Sequence, residues 1–194
     1  DRWGGYNCFC GIRQICWAHL KRDFKAVSEA SGSLGKIGQE LYGLAKKILK
    51  LRKRVRDGTL QWRTFQNRMG PLMKRVEQLL EEGACGKCKL SRKCRRIIKH
   101  REHLWTFVHD RSVDPTNNIA ERIVRQGVLW RKSSFGTQSE RGARYVERIL
   151  TVCATCRLQG RSVIEYLRDA CRCHLDGIDV PSLIKSVDHL TKTA

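Results

Sequence analysis

Two matching apolar stripes constrain the fold of this chain more than any other feature. The first runs through Ile37, Leu41, Leu44, Ile48, Leu51 and Val55, and the second through Trp62, Phe65, Met69, Leu72, Val76 and Leu79. Spacings of three and four residues place each set on one face of a helix. The segment 57–59 supplies a turn between them, so residues 34–109 are predicted to form a helical hairpin followed by a third helix.

The segments on either side of this hairpin are shorter. Residues 11–18 begin at a glycine turn and are β-prone, which makes them the best strand candidate in the chain. The segment 114–117 (Asp-Pro-Thr-Asn) ends the preceding helical pattern and can cap a helix that begins near Asn117. Two more helices are predicted at about 140–158 and 162–173. The fold class is therefore mostly α with a short β remnant.

The net charge of the chain indicates which class of partner it binds. Its 39 Lys and Arg against 19 Asp and Glu leave a net charge of +20, which concentrates polyanions and favours nucleic acid as the partner. A well-solvated basic surface is the alternative. No apolar run approaches the length of a membrane span, and the first residues do not form a basic-then-apolar leader. A cytoplasmic location is expected, with the ten cysteines mostly reduced.

One run is especially basic. Seven cations fall within residues 46–56: Lys46, Lys47, Lys50, Arg52, Lys53, Arg54 and Arg56. Few acids balance them, which favours contacts with DNA phosphates over a merely solvated helix face.

Two acids are candidates for metal-dependent chemistry. Asp1 at the end of a strand and Glu121 on a helix could converge on Mg²⁺, which prefers hard oxygen ligands. Spacing alone does not establish this. Glu121 could instead pair with Arg125, four residues along the same helix.

Three separated blocks resemble one protein family. Residues 114–122 (Asp-Pro-Thr-Asn-Asn-Ile-Ala-Glu-Arg) and 129–144 are similar to the C-terminal signature of the insertion sequence 66 family of bacterial transposases, which carries an Asn-Asn-x-Ala-Glu-Arg motif. Residues 1–6 resemble the segment around that family's second catalytic Asp, and residues 16–24 resemble its Cys-Trp-Ala-His block. The resemblance extends from Asp1 to about Leu167.

The resemblance implies a ribonuclease-H-like (α/β) core in which Asp, Asp and Glu hold two Mg²⁺ or Mn²⁺ ions and cut and join double-stranded DNA. Asp1 corresponds to the second acid and Glu121 to the third. The first acid is expected upstream of Asp1, so this chain alone is not expected to catalyse transposition. Residues 1–33 would end the partial core, 34–112 would be a helical insertion, and 113–194 would be C-terminal helices carrying Glu121.

Other residues receive roles through the same resemblance. Cations near Glu121 are expected to meet the scissile strand: Arg122, Arg125, Arg131 and Lys132. Trp130 could stack on an unpaired base or belong to the core. Asn117 and Asn118 would orient Glu121 or cap its helix, and Cys16 and His19 would support the structure after a strand. The active complex is expected to be a homo-oligomer at the bacterial nucleoid.

A cysteine cluster offers a separate metal site. Cys85 and Cys88, followed by Cys94 and by His100 or His103, have a usable spacing for structural Zn²⁺. Zinc with basic charge would also suit an RNA-binding protein, but RNA binding has no need for Glu121 in its motif. The leading interpretation is the C-terminal part of a cut-and-join DNA transposase. The alternative is a non-catalytic basic DNA-binding remnant or domesticated module.

Overall fold

The computed structural model describes residues 4–6 and 8–184, which are mostly helical. The chain divides into two compact units, the first ending at Ile119 and the second beginning at Ala120. The helices are α1 (Trp17–Ser28), α2 (Gly32–Arg56), α3 (Trp62–Ala84), α4 (Lys89–Ile98), α5 (Thr106–His109), α6 (Asn118–Ser133), α7 (Glu140–Leu158) and α8 (Val163–Leu175), with 3₁₀ turns at Gly4–Tyr6 and Arg101–His103.

The predicted hairpin is confirmed in α2 and α3. Leu41 and Ile48 from the first stripe and Phe65 and Met69 from the second are fully buried in one shared core. Pro71 lies inside α3 and does not end that helix. The two stripes pack together as predicted because burying these apolar faces removes them from water, which is favourable.

The predicted third helix is broken into pieces. α4 ends at Ile98, and the short helix α5 begins only at Thr106. Between them the chain turns so that the adjacent residues Leu104 and Trp105 are both buried. Both side chains belong to the core that α2 and α3 share.

The predicted strand over residues 11–18 is wrong. Residues 11–16 form no strand, and Trp17 already begins α1. The amide of Ile15 donates to the carbonyl of His103 at 2.8 Å, and the Gln14 amide nitrogen donates to the carbonyl of Leu104 at 3.0 Å. A strand requires a neighbouring strand for its backbone bonds, whereas the Ile15 amide donates to the 3₁₀ turn at Arg101–His103. The described residues contain neither the β remnant nor a ribonuclease-H-like sheet.

The second unit follows the predicted helices closely. α7 has the predicted bounds, and α8 extends two residues beyond its predicted end. Ser139 and Ser162 cap these helices by accepting the amides of Gly142 and Glu165 at 3.1 and 3.3 Å. Serine provides this acceptor at an N-cap because the first amides of a helix have no partner within it.

Candidate functional site

Glu121 lies on the first turn of α6 and is exposed. An acid there is stabilised by the partial positive charge of the helix N-terminus. Asp1, predicted as the second acid, lies outside the residues that the structure describes. The carboxylate of Glu121 offers the hard oxygen ligands that Mg²⁺ and Mn²⁺ prefer.

Cations share the face of α6 that carries Glu121. At 100° per residue, Glu121, Arg125 and Lys132 fall within about 40° of one another, whereas Arg122 lies about 100° from Glu121. All four side chains are exposed. Arg131 is also exposed and lies about 80° from Glu121 on the other side, and Trp130 is half-buried. The helix thus places the predicted metal ligand on the same face as cations that can bind phosphate.

Backbone contacts within the first unit fix the segment that enters α6. The amide of Trp17 donates to the carbonyl of Pro115 at 2.8 Å, and the amide of Asn117 donates to Sγ of Cys16 at 3.3 Å. Cys16 and Pro115 are both buried. Two of the predicted supporting residues, Cys16 and Asn117, are therefore in direct contact at the entrance to the helix that carries Glu121.

Neighbouring residues order the same segment. Asp114 accepts the amide and the hydroxyl of Thr116 at 2.9 and 3.0 Å, closing a local turn. The other predicted supporting residues are His19, half-buried on the first turn of α1, and Asn118, which begins α6. Their predicted roles remain predictions.

Arg52 has a structural role that differs from the predicted phosphate contact. Its Nη2 donates to the carbonyls of Arg111 and Val113 at 2.7 and 3.2 Å, and its guanidinium lies 5.7 Å from the centre of the Trp62 ring. Burial lowers the pKa of Arg52, and the Asp114 carboxylate opposes that shift. Sequence reasoning missed this role, although position 52 follows Ile48 by four residues on the buried face of α2.

Five of the six other cations of the basic run form an outer face on α2, while Arg56 lies 3.5 Å from the carboxylate of Asp57. Lys46, Lys50 and Lys53 fall within about 60° of one another, opposite the buried residues of the helix, and Lys47 and Arg54 flank them. All five are exposed. Two make local contacts: Lys46 lies over the Tyr42 ring, and Arg54 donates to the carbonyl of Thr59. We call these five residues the α2 basic face.

The predicted zinc ligands are not brought together. Cys88 caps α4 by accepting the amide of Ser91 at 3.4 Å, and Cys85 donates to the carbonyl of Glu81. Cys94 is buried, and burial raises the pKa of its thiol. His100 stacks near His103. Among the described residues, Cys85, Cys88, Cys94 and His100 do not form a set of ligand atoms within 4.8 Å of one another, so the tetrahedral geometry of a zinc site is not preformed.

The chain matches the Transposase IS66 family over residues 1–145. It belongs to that family of transposases. The match includes both predicted acids, the Cys-Trp-Ala-His block and the Asn-Asn-Ile-Ala-Glu-Arg motif. The assignment made from the motifs is therefore confirmed at the level of the family.

Two longer relatives occur in Sinorhizobium fredii (strain NBRC 101917 / NGR234). The uncharacterized protein y4qI is 28% identical over 160 residues, which cover 78% of this chain and 29% of y4qI. The uncharacterized protein y4jD is 21% identical over 160 residues, which cover 80% of this chain and 31% of y4jD. The chain spans less than a third of either relative.

No solved structure matches the chain significantly. Within residues 4–6 and 8–184, every helix of this transposase-family chain is too short or too polar to cross a lipid bilayer.

Proposed function

We propose that the chain is part of a DNA transposase that cleaves and joins transposon-end DNA by phosphoryl transfer. The family match over residues 1–145 carries this proposal, because it includes Asp1 and Glu121. The exposed position of Glu121 on the first turn of α6 supports it. In the complete protein, Asp1, Glu121 and an upstream acid would hold Mg²⁺ or Mn²⁺.

When bound, the metal pair would activate a water or a terminal hydroxyl and stabilise the leaving oxygen. The residues of this chain position the reacting strand. Arg125 and Lys132 lie on the same face of α6 as Glu121 and would bind phosphates beside the scissile bond. The contacts of Pro115 with Trp17 and of Asn117 with Cys16 order the residues that lead into this helix.

The α2 basic face would bind DNA away from the reacting bond. Its exposed cations can contact phosphates without reading the base sequence. The complex is predicted to contain more than one copy of the transposase and to act at the bacterial nucleoid.

Removal of divalent metal tests the catalytic part of the proposal. The complete polypeptide that contains this chain should cleave a labelled transposon-end duplex in Mg²⁺ or Mn²⁺, and EDTA should abolish cleavage. DNA binding should persist in EDTA, because phosphate contacts by Lys and Arg do not require the metal. Cleavage that survives chelation would contradict the mechanism. Binding without cleavage in every metal would favour the non-catalytic DNA-binding alternative.

Replacing cations tests the α2 basic face. The triple variant Lys46→Gln, Lys50→Gln and Lys53→Gln should reduce the slope of log affinity against log salt by about 2 to 3, because three phosphate contacts release fewer counterions. Fluorescence anisotropy with duplex DNA at several salt concentrations measures the slope. A control variant with Lys25, Arg63 and Arg68 replaced by Gln loses the same three positive charges and should change the slope by less than one. An unchanged slope in the first variant would contradict phosphate binding by this face and would favour a solvated helix surface.

A further inference from the structure

α4 is the most uniformly basic helix of the first unit. No acid occurs between Glu82 and Glu102, while eight cations do: Lys87, Lys89, Arg92, Lys93, Arg95, Arg96, Lys99 and Arg101. Such a density of one charge repels itself unless an anion binds nearby.

Two of these cations are used within the protein. Lys93 donates to Asp23 at 3.0 Å, which ties α4 to α1. Arg95 donates to the carbonyls of Ala84 and Gly86 at 2.6 and 2.7 Å, which satisfies acceptors at the end of α3. Both therefore have a structural explanation.

Four others form a stripe on the outer side of the helix. Lys89, Arg92, Arg96 and Lys99 follow spacings of three, four and three residues, and all are exposed. Lys99, at the C-cap, keeps helical backbone angles. At 100° per residue the four fall within an arc of about 80° and extend over about 15 Å. We call them the α4 outer stripe.

The α4 outer stripe lies opposite the buried side of its helix. Ser91, Cys94 and Ile97 are buried, and their mean direction is about 180° from that of the stripe. None of the four cations forms an ion pair, a hydrogen bond or a cation–π contact through its side chain with any residue that the structure describes. Folding thus explains the cations on the flanks of α4 but not those on the stripe.

The first turn of α4 has the charge that a helix N-terminus disfavours. It contains no acid, and Lys89 is its first residue. A cation at this end opposes the helix dipole. A bound phosphate would remove that repulsion, so the unfavourable placement is consistent with an anionic ligand.

We propose that the α4 outer stripe is a second surface for the backbone phosphates of duplex DNA, on a different helix from the α2 basic face. The inference rests on the proposed function, which makes DNA the polyanion that this chain meets. The stripe carries only Lys and Arg, which contact phosphates along a strand and do not supply the apolar face that insertion into a membrane requires. Its role is to hold DNA, not to select a sequence.

The test replaces the stripe and compares it with a matched control. The stripe variant is Lys89→Gln, Arg92→Gln, Arg96→Gln and Lys99→Gln. The control variant makes the same change at four exposed cations of α1 and α3: Lys25, Arg63, Arg68 and Lys74. Both variants lose the same net charge. Far-UV circular dichroism and thermal unfolding establish that each is folded, and the double variant Arg92→Gln/Arg96→Gln serves if the fourfold change impairs folding.

Binding of the 194-residue chain to a labelled DNA duplex is measured by anisotropy between low and high salt. The stripe variant should bind at least about tenfold more weakly at low salt, and its log–log salt slope should fall by about 3 to 4, or by about 2 in the double variant. The control should stay within about twofold of the unchanged chain.

Four outcomes would overturn the inference. Equal losses of affinity in the stripe and control variants would show an effect of net charge alone. No loss of affinity in either variant would also contradict the inference. Stronger competition by single-stranded RNA than by duplex DNA of the same length would replace DNA as the ligand. If the unchanged chain binds no duplex at all, the DNA-binding part of the proposed function fails as well. Normal DNA binding with an unaffected stripe variant contradicts only the α4 surface.

Discussion

The substitution Glu121→Gln should abolish strand cleavage by the complete transposase while DNA affinity stays within about twofold. Gln keeps the size and hydrogen-bonding capacity of Glu but removes the negative charge that binds a divalent cation. Because bound metal contributes several kcal/mol to phosphoryl transfer, a loss of about 10³-fold or more in cleavage rate is expected. Cleavage of a labelled transposon end measures the rate, and anisotropy measures affinity.

A second acid of the same kind provides the control. Glu165 is exposed on the first turn of α8, as Glu121 is on α6. The change Glu165→Gln removes the same charge from the first turn of another helix, so cleavage should remain within about twofold. The alternative role of Glu121, an ion pair with Arg125, is worth only about 0.2 to 0.5 kcal/mol. Under that alternative Glu121→Gln would leave cleavage nearly unchanged, which would refute the assignment as a metal ligand.

The substitution Gly38→Ala should strongly destabilise the first unit. A Cβ built on Gly38 would lie 2.3 Å from the amide nitrogen of Ser28 and 2.5 Å from the carbonyl carbon of Val27. Both atoms belong to the backbone at the end of α1, and backbone cannot rotate aside as a flexible side chain can. Separating α1 from α2 would disturb the core, with an expected loss of about 3 kcal/mol or more in the free energy of unfolding.

A glycine on the same helix gives a matched control. A Cβ on Gly43 would meet no atom within 4 Å, and Gly43 is exposed. Gly43→Ala should therefore stabilise the protein by about 0.5 to 1 kcal/mol, since alanine loses less backbone entropy in a helix. Urea unfolding followed by tryptophan fluorescence and circular dichroism measures both variants. Similar stabilities for the two variants would contradict a close crossing of α1 and α2 at Gly38.

Much of the helical hairpin could be predicted because its pattern is local. The spacing from Ile37 to Val55 repeats with the period of a helix, and any straight helix must place those residues on one face. The same reasoning predicted α7 and α8, whose serine caps lie next to their first residues. Glu121 was identified through its motif, which lies within the family match, and its role as a metal ligand stays a prediction.

Elements that depend on distant partners could not be predicted in this way. The β-prone residues 11–16 did not form a strand: the Ile15 amide donates to the carbonyl of His103, and Gln14 reaches the carbonyl of Leu104 through its side chain. Arg52 was grouped with surface cations, yet the loop at Arg111 and Val113 receives its hydrogen bonds. The cysteines at 85, 88 and 94 had a suitable spacing for zinc, but Cys88 caps α4 and Cys94 is buried in the core.

The sequence by itself determined the periodicity of the helices, the high positive charge and the family motif, since each is a property of neighbouring residues. Only the tertiary structure decided which of two similar residues matters. Gly38 meets the backbone of α1 and Gly43 meets nothing, while Lys93 ties two helices and Arg96 faces solvent. The physical reason is that close packing and ion pairing join residues far apart in the chain, and no local pattern encodes those distances.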